Sequence, residues 1–434
     1  MSASATMPEK PTFREALRVW TKIGLLSFGG PTGQIALMHE ELVDRRRWVS
    51  DARFLHALNY CMLLPGPEAQ QLAIYTGWLL HGRWGGIVAG TLFVLPGALL
   101  LWAISWIYCA HGDVAWIAAI FYGLKPAVLG LVAAAVLRLG KKTLKNAVLW
   151  SVAAAAFAGI FFLEIPFPAI IAGASLLGLA GGRYFERFFH VAGGHGGGPG
   201  GTVIGDHEII SHPSAARTAA TILQWSAVWA APVVLAWLAL GPGHVLFQQG
   251  WFFSKAAVVT FGGAYAVLPY VAQQAVEVHG WVTAPQMLDG LGLAETTPGP
   301  LILVLQHVGF VGAWTDPAPF SPLMAATLAA LITTWCTFVP GFLFIFAGAP
   351  YIEALRGAKL LTCALSTITA AVVGVVFNLA VWFGRGVLVP AAGPDWFALI
   401  VAVGAFTGLH WGRWDVIRVV LGCGLLGLAY RMAA

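Results

Sequence analysis

The sequence predicts an all-α polytopic membrane protein built from two inverted-topology repeats, and three observations lead to that fold class. The chain has 434 residues, of which 59% are hydrophobic and only 10% are charged, whereas soluble domains carry about 25% charged residues. Several apolar runs approach the roughly 20 residues that cross a bilayer as a helix. Two short strings that contain the helix breakers Gly or Pro recur at one constant offset.

The repeat is visible as two short strings, each of which occurs twice. Phe28-Gly29-Gly30 recurs as Phe261-Gly262-Gly263, and Pro65-Gly66-Pro67 recurs as Pro298-Gly299-Pro300, so both offsets (261 − 28 and 298 − 65) are 233 residues. The same offset also pairs single residues: Lys22 with Lys255, Val43 with Val276, Trp48 with Trp281 and Leu58 with Leu291. A duplicated unit with helix breaks inside apolar sequence is typical of secondary transporters.

The first predicted repeat covers residues 1–182 and begins with two segments that are broken in the middle. Segment 12–45 contains Gly29-Gly30-Pro31, and segment 50–82 contains Pro65-Gly66-Pro67. Non-helical backbone at membrane depth is tolerated only where it is buried in protein or lines a cavity. We therefore expect two re-entrant helical hairpins, followed by about four transmembrane helices. Spanning helices that are kinked at proline are the alternative.

A linker, residues 183–244, separates the repeats and contains a Gly/His-rich stretch and one apolar helix near 219–240. Because that helix crosses the membrane once, the second repeat, residues 245–434, is expected to start on the opposite face. Lys and Arg favour the cytoplasmic side, and the counterpart of Arg45-Arg46-Arg47 is Val278-His279-Gly280. The charge bias thus predicts inverted repeats, a cytoplasmic N-terminus and a periplasmic C-terminus.

Each predicted hairpin has its tip at a Gly/Pro break, and the four tips are Gly29-Gly30-Pro31, Pro65-Gly66-Pro67, Gly262-Gly263 and Pro298-Gly299-Pro300. These tips are expected to converge near mid-membrane and to form a site for an anion. A helix that starts there points unpaired N–H groups and the positive end of its dipole at the centre, and glycine lets an anion approach the backbone closely. The candidate substrate-binding residues are the tip glycines and polar neighbours: Gly29, Gly30, Thr32, Gly66, Gln70, Gln71, Gly262, Gly263, Thr296, Thr297 and Gly299. Gln34 and Tyr265 flank the same tips. Taken alone, each Gly/Pro motif is also explained by helix packing or a kink.

Four charged residues near the tips are further candidates. Lys22 and Lys255 each lie six residues before a tip, about 9 Å along a helix, where they either attract the substrate anion or snorkel to the interface. Glu68 and Glu295 are assigned to coupling or gating, because an ionisable residue at membrane depth is costly and usually functional. As an alternative, Glu68 only caps its helix dipole.

Several function classes lack their motifs in this sequence. Nothing resembles a P-loop, a nucleophile elbow or a histidine metal motif, so ATP-driven transport, enzymatic catalysis, a bound metal and a cofactor are not expected. His307 fits a packed histidine better than a proton carrier. The net charge of +5 is a topology signal and does not predict nucleic-acid binding. The expected partners are the lipid bilayer and an anion, while a homodimer and an anion channel on the same scaffold stay open.

The residues around the tips resemble a known family. The stretch SFGGPTGQIALMHEELVDRRRWVSDARFLHALNYCMLLPGPEAQQLAIYTGW, followed by FVLPG, is similar to the first domain of the bacterial chromate ion transporter family. VVTFGGAYAVLPYVAQQAVEVHGWVT with TTPGP is similar to the second domain of its long-chain, two-domain form. The resemblance implies export of chromate from the cytoplasm across the bacterial inner membrane, with sulfate as competitor, whereas the residues themselves indicate only an anion. Other oxyanions stay open, and Ala264 stands where the family often has another glycine.

Overall fold

The computed structural model describes residues 10–28, 30–112, 114–184, 214–261, 263–351, 359–390, 393–412 and 414–433. Within these ranges it has sixteen α-helices and no β-strand. Six helices are long and apolar enough to cross a bilayer, so the predicted class, an all-α polytopic membrane protein, is confirmed. Gly29, Gly262 and the Gly/His-rich stretch of the predicted linker lie outside the described residues.

The first half of the described chain contains seven helices. They are α1 (Phe13–Leu26), α2 (Gly30–His39), α3 (Asp51–Leu63), α4 (Glu68–His111), α5 (Ala115–Thr143), α6 (Ala147–Leu163) and α7 (Phe167–Tyr184). α2 continues as a π-helical segment, Glu40–Arg45, and α4 is kinked where His81 and Gly82 leave helical geometry. α1, α2 and α3 are 14, 10 and 13 residues long. At about 1.5 Å per residue, each is shorter than the roughly 30 Å hydrocarbon layer of a bilayer.

The second half of the described chain contains nine helices. They are α8 (Ala215–Leu240), α9 (Val245–Val259), α10 (Ala264–Ala272), α11 (Ala284–Thr296), α12 (Val304–Thr315), α13 (Pro322–Gly348), α14 (Lys359–Leu388), α15 (Trp396–His410) and α16 (Val416–Ala433). α10 continues as a π-helical segment, Gln273–Val278, and a 3₁₀ turn, Leu301–Leu303, precedes α12. Where the first half has the kinked α4, the second half has two helices, because Pro317 and Pro319 lie in the loop between α12 and α13 and cannot donate helical hydrogen bonds.

The 233-residue offset also relates local structure in the two halves. The π-helical segments Glu40–Arg45 and Gln273–Val278 are equivalent by this offset, and so are α3 and α11, whose first and last residues each differ by 233. Ser50 and Thr283 cap the starts of α3 and α11, because each side chain accepts a hydrogen bond from a backbone N–H of the first turn. The duplicated motifs therefore lie in duplicated local structure.

Helix length alone does not fix the number of membrane spans. The six long apolar helices are α4, α5, α8, α13, α14 and α16, while α6 and α15 are shorter, at 17 and 15 residues. Two re-entrant hairpins and about four transmembrane helices per repeat, with α8 as the linker helix, therefore stay a prediction.

The two halves are interlocked through their last helices. α5 packs against α15 and α16, α14 packs against α6 and α7, and α5 and α14 also contact each other. Glycine permits these close approaches: a Cβ on Gly123 would lie 2.1 Å from the carbonyl oxygen of Cys423, and one on Gly374 would lie 2.0 Å from that of Ala153. Small residues are what lets membrane helices pack so tightly. The boundaries after residues 182 and 244 stay a prediction, and helices from the two sides of these boundaries pack against each other.

Candidate functional site

The Gly/Pro tips of the two halves contact each other in reciprocal pairs. The Gly66 N–H donates to the carbonyl of Thr260 at 2.7 Å, and the Gly299 N–H donates to the carbonyl of Ser27 at 2.8 Å. Gly66 and Gly299 differ by 233, as do Ser27 and Thr260, so equivalent residues exchange equivalent hydrogen bonds. A two-fold axis that relates the two halves would produce such reciprocal contacts. The first break of each half is thereby joined to the second break of the other half.

Ser27 and Thr260, whose carbonyls accept these bonds, have equivalent side-chain hydrogen bonds of their own. The Ser27 hydroxyl donates to the carbonyl of Ile23 at 2.6 Å, and the Thr260 hydroxyl donates to the carbonyl of Ala256 at 2.6 Å. Both side chains are fully buried, so these bonds to the preceding helical turn satisfy hydroxyl protons that water cannot reach. The backbone carbonyls of the two residues are left to accept from the opposite tips.

Four of the predicted tip glycines adopt backbone conformations that favour glycine. Gly30, Gly66, Gly263 and Gly299 have φ values of +70°, +113°, +93° and +97°, which side-chain-bearing residues rarely adopt. A Cβ added to Gly30 would meet no other atom within 4 Å, whereas one added to Gly263 would lie 3.0 Å from a carboxylate oxygen of Glu68. The tip at Gly30 therefore faces open space. The carboxylate of Glu68, which follows the tip at Gly66, lies against the tip at Gly263 in the other half.

Three buried glutamines surround the junction of the tips. The Gln34 side-chain amide donates to the carbonyl of Gly299 at 2.6 Å, and the Gln71 amide donates to that of Pro65 at 2.7 Å. Gln70 donates to the carbonyl of Phe338 at 3.4 Å. The side-chain oxygen of each glutamine is buried and has no hydrogen-bond partner in the described part of the chain. Because an amide nitrogen has two N–H groups, Gln70 and Gln71 each have one N–H beyond these bonds that can donate to an anion, and the three side-chain oxygens can accept from water.

The predicted threonine donors are engaged differently. Thr296 donates to the carbonyls of Gly292 and Leu293 at 3.1 and 2.9 Å, and Thr297 donates to that of Ala294 at 3.2 Å. Both hydroxyl groups thus donate to backbone carbonyls in the last turn of α11 and do not point a donor at the junction of the tips. Thr32 lies exposed in the first turns of α2.

The two predicted acidic residues have different surroundings. Glu295 is buried, and its carboxylate accepts a hydrogen bond from the Tyr265 hydroxyl, whereas Glu68 lies beside Gly263. Two basic residues of α5 act on these carboxylates through their charge, Arg138 on Glu295 and Lys142 on Glu68. These two basic residues are not among the site residues predicted from the sequence. Their i, i+4 spacing, which places them on one helix face, was the available signal.

The two predicted lysines have partners away from the tips. The Lys22 ammonium lies 2.7 Å from the buried carboxylate of Glu41, and Lys255 is exposed with its ammonium 5.9 Å from the centre of the Trp251 ring. Within the described ranges, no hydrogen bond or ion pair joins either ammonium to a tip residue. Their proposed contribution to substrate attraction therefore stays a prediction.

Glu41, in the π-helical segment that continues α2, is the centre of a cluster of charged side chains. Besides Lys22, its carboxylate accepts hydrogen bonds from Arg45 at 2.9 Å and from Arg46. Burial by itself would raise the pKa of this carboxyl group, but Lys22 and Arg46 hold the pKa below its ordinary value. The counterpart of Glu41 in the second half is Gln274, so the cluster belongs to one half only.

We expect Glu41→Gln to lower the stability of the protein in detergent by about 2 kcal/mol, below the roughly 3–5 kcal/mol of a fully buried pair because the cations are partly exposed. In the natural protein the pairs stabilise the fold fully above the ordinary carboxyl pKa of 4.5. Since the folded pKa is lower, this stabilisation is lost as the pH falls through it. Thermal unfolding against pH measures both effects. Glu40→Gln, at an exposed carboxylate paired with Arg45, is the control, and an equal loss in both variants would contradict the assignment.

Comparison with known proteins matches most of the chain. A family profile described as chromate transporter matches residues 14–179 and 247–428, and the two matches begin 233 residues apart (247 − 14). A chromate transport protein of Pseudomonas aeruginosa is 31% identical over 98% of this chain and 94% of its own length. That of Cupriavidus metallidurans is 26% identical over 98% and 96%, and a probable chromate transport protein of Synechococcus elongatus is 28% identical over 86% and 85%. No solved structure matches the chain.

Proposed function

The chain belongs to the chromate transporter family, and from this premise we propose that it carries chromate across a membrane through the junction of its four Gly/Pro tips. Proteins of this family are membrane transport proteins and not enzymes. The observation that carries the proposed site is the reciprocal pair of hydrogen bonds between Gly66 and Thr260 and between Gly299 and Ser27. These bonds bring breaks that are more than 190 residues apart in sequence into contact.

The chemistry of the junction suits a tetrahedral dianion. α2 begins at Gly30, α4 at Glu68 and α10 at Ala264, and the 3₁₀ turn before α12 begins at Leu301. Each helix start offers backbone N–H groups and the positive end of a helix dipole, and glycine keeps the approach to the backbone open. Chromate and sulfate share shape and charge, so we propose chromate as substrate and sulfate as its competitor, held by backbone N–H groups.

The membrane potential is sufficient to drive the proposed export. Moving one charge through 100 mV is worth about 2.3 kcal/mol, so an outward-moving dianion gains about 4.6 kcal/mol. That corresponds to a concentration ratio of roughly a thousandfold. Export across a bacterial inner membrane therefore does not require a proton gradient, whereas import of a sulfate-like dianion would have to be coupled to another driving force.

We further propose that the two halves have inverted topology, with the N-terminus in the cytoplasm and the C-terminus in the periplasm. The reciprocal tip contacts support a two-fold axis between the halves, and the single apolar helix α8 between them supports the inversion. The short helices beside the tips support re-entrant hairpins, because none of α1, α2 and α3 is long enough to cross the hydrocarbon layer by itself. The long helix α4, which follows the second tip, is interrupted by the kink at His81 and Gly82.

The inversion predicts that Asp44 and Glu277 face opposite sides of the membrane. These residues are equivalent by the 233-residue offset and both are exposed. Single cysteines in their places are expected to react with a membrane-impermeant maleimide from opposite faces, Asp44→Cys in everted vesicles and Glu277→Cys in spheroplasts. The natural protein, whose described cysteines are buried or half-buried, gives the background. Labelling of both variants from one face would contradict the inversion.

The function itself is tested by uptake of labelled chromate into everted vesicles. We expect saturable uptake that depends on an inside-positive potential, which is the everted equivalent of export, and that excess sulfate inhibits. Vesicles without the protein are the control. Absence of chromate uptake would refute the proposed substrate, and a continuous, non-saturating current would favour a channel on the same scaffold.

A further inference from the structure

A second polar cluster lies outside the tips, around Asp289 of α11. Its side chain is 3% exposed. The Tyr108 hydroxyl donates to one carboxylate oxygen at 3.0 Å, and the Lys125 ammonium lies 3.6 Å from the same oxygen. The other carboxylate oxygen is buried and has no hydrogen-bond partner in the described part of the chain. A buried carboxylate with one donor, one long ion pair and one unpartnered oxygen is poorly compensated.

The inner side of this cluster is closed by His307 of α12. The ring of His307 is fully buried and lies 5.2 Å from the ring of Tyr108, measured between centroids. Its Nδ1 is 2.9 Å from the Ser105 hydroxyl oxygen. A Cβ on Gly290 would lie 2.4 Å from the ring, so the histidine is packed directly against the backbone beside Asp289. The side of Asp289 that faces α12 is therefore covered by protein.

The outer side of the cluster opens on a cavity of about 260 Å³. Lys125 lines it, and so does Arg431, whose guanidinium carbon lies 4.2 Å from the centre of the Tyr122 ring. Asp395, also at the cavity wall, accepts a hydrogen bond from the Tyr122 hydroxyl at 2.6 Å and one from the backbone of α15. Within the described residues Arg431 has no ion pair with a carboxylate. The cavity is large enough for a tetrahedral oxyanion, and its wall carries two cations, Lys125 and Arg431, and the carboxylate of Asp395, both of whose oxygens accept hydrogen bonds.

We propose that this cavity is an oxyanion subsite in which Lys125 and Arg431 hold the anion, and that its occupancy is linked to protonation of Asp289. The inference rests on the proposed function, because it takes the transported oxyanion as the ligand. In the proposed orientation the cavity lies on the periplasmic side, since Arg431 is close to the C-terminus. An exported anion would therefore occupy this subsite after it has left the tips.

The linkage follows from the charges that face Asp289. Lys125 approaches it from α5, Tyr108 from α4 and His307 from α12, while Arg431 of α16 stands across the cavity. The cavity wall that α14 supplies is the apolar pair Trp382 and Phe383. An anion in the cavity draws the Lys125 ammonium away from the carboxylate, which is then buried with a single donor. A proton on Asp289 removes that penalty, and by reciprocity the same proton strengthens anion binding.

Calorimetric titration of the purified full-length protein with sulfate tests the linkage, since sulfate stays a dianion over the pH range used. The titration is done in the Gly30→Leu background, which we expect to lack binding at the tips. We expect the affinity to rise by up to tenfold per unit fall in pH, with uptake of close to one proton per sulfate, measured in buffers of different ionisation enthalpy. Asp289→Asn should bind without proton uptake and without pH dependence. Lys125→Gln should weaken binding at least tenfold, whereas the control Lys141→Gln, at an exposed lysine of the same helix, should not.

Undiminished proton uptake in Asp289→Asn would overturn the proposal, as would loss of the uptake in His307→Gln while Asp289 is intact. If Asp289→Asn does not fold, Tyr108→Phe keeps the carboxylate and removes its donor. The pH of half-maximal binding should then rise by about one unit, and an unchanged pH profile would refute the linkage. These readouts are binding measurements. Absence of chromate flux in the natural protein, with this sulfate binding intact, would therefore refute the transport function and not the subsite.

Discussion

Replacing Gly30 with leucine is expected to lower chromate uptake at least a hundredfold while the folded protein still inserts in the membrane. Gly30 has φ +70°, and a Cβ there would meet no protein atom within 4 Å. A leucine side chain therefore finds room in the protein but occupies the space in front of the α2 N-terminus, where we place the anion. Gly30→Ala should be intermediate. Uptake into everted vesicles, normalised to the amount of folded transporter, gives the measurement.

The chain offers a control for backbone strain. Gly82, at the kink of α4, has φ +63° and ψ −154° and likewise no atom within 4 Å of an added Cβ, so Gly82→Leu places a side chain in a backbone region that only glycine adopts readily, away from the tips. We expect it to transport chromate almost normally. Equal loss in both variants would show that strain, and not a blocked site, is responsible. Full activity of Gly30→Leu would exclude this tip from the substrate path.

Replacing Glu68 with glutamine is expected to uncouple chromate flux from the pH gradient. The carboxylate lies against the tip at Gly263, so its negative charge repels a dianion at the junction, and a proton on Glu68 removes that repulsion. Glutamine keeps the shape without the charge. The variant should bind chromate at least as tightly as the natural protein, and its uptake into vesicles should no longer respond to an imposed pH gradient.

Two arrangements make this measurement specific. The lumenal pH of the everted vesicles is held constant, so that any linkage at Asp289 contributes equally in all samples. Glu295→Gln is the companion variant, because Glu295 is held by the Tyr265 hydroxyl and the charge of Arg138, and we expect it to keep the coupling. If Glu68→Gln retains full pH-dependent uptake, Glu68 only caps the start of α4. Glu295 or export driven by potential alone is then the better explanation.

The sequence predicts the positions of the helix breaks and the 233-residue offset between them. The Gly and Pro breaks can be predicted because backbone preferences act within a few residues, and the offset is visible because the same motifs recur. The candidate glycines at the tips could therefore be named from sequence, including the pairs Gly30 with Gly263 and Gly66 with Gly299. The pairing of Lys22 with Glu41 and of Asp289 with Lys125 could not be predicted from the sequence, since only the packing of the helices brings these residues together.

By itself, the sequence determined the all-helical membrane class, the duplicated unit and the residue types at its four breaks, because composition and chain-local backbone chemistry decide them. Only the tertiary structure decided which break contacts which. It also decided that α5 of the first half packs against α15 and α16 of the second half, and that α14 of the second half packs against α6 and α7 of the first. Likewise, only the tertiary structure brings Asp289, Tyr108 and Lys125 together from three different helices. The physical reason is that helices apolar on every side carry no stripe that separates lipid-facing from protein-facing residues. Their partners are chosen by the fit of small residues and by the need to satisfy buried polar groups across the whole fold.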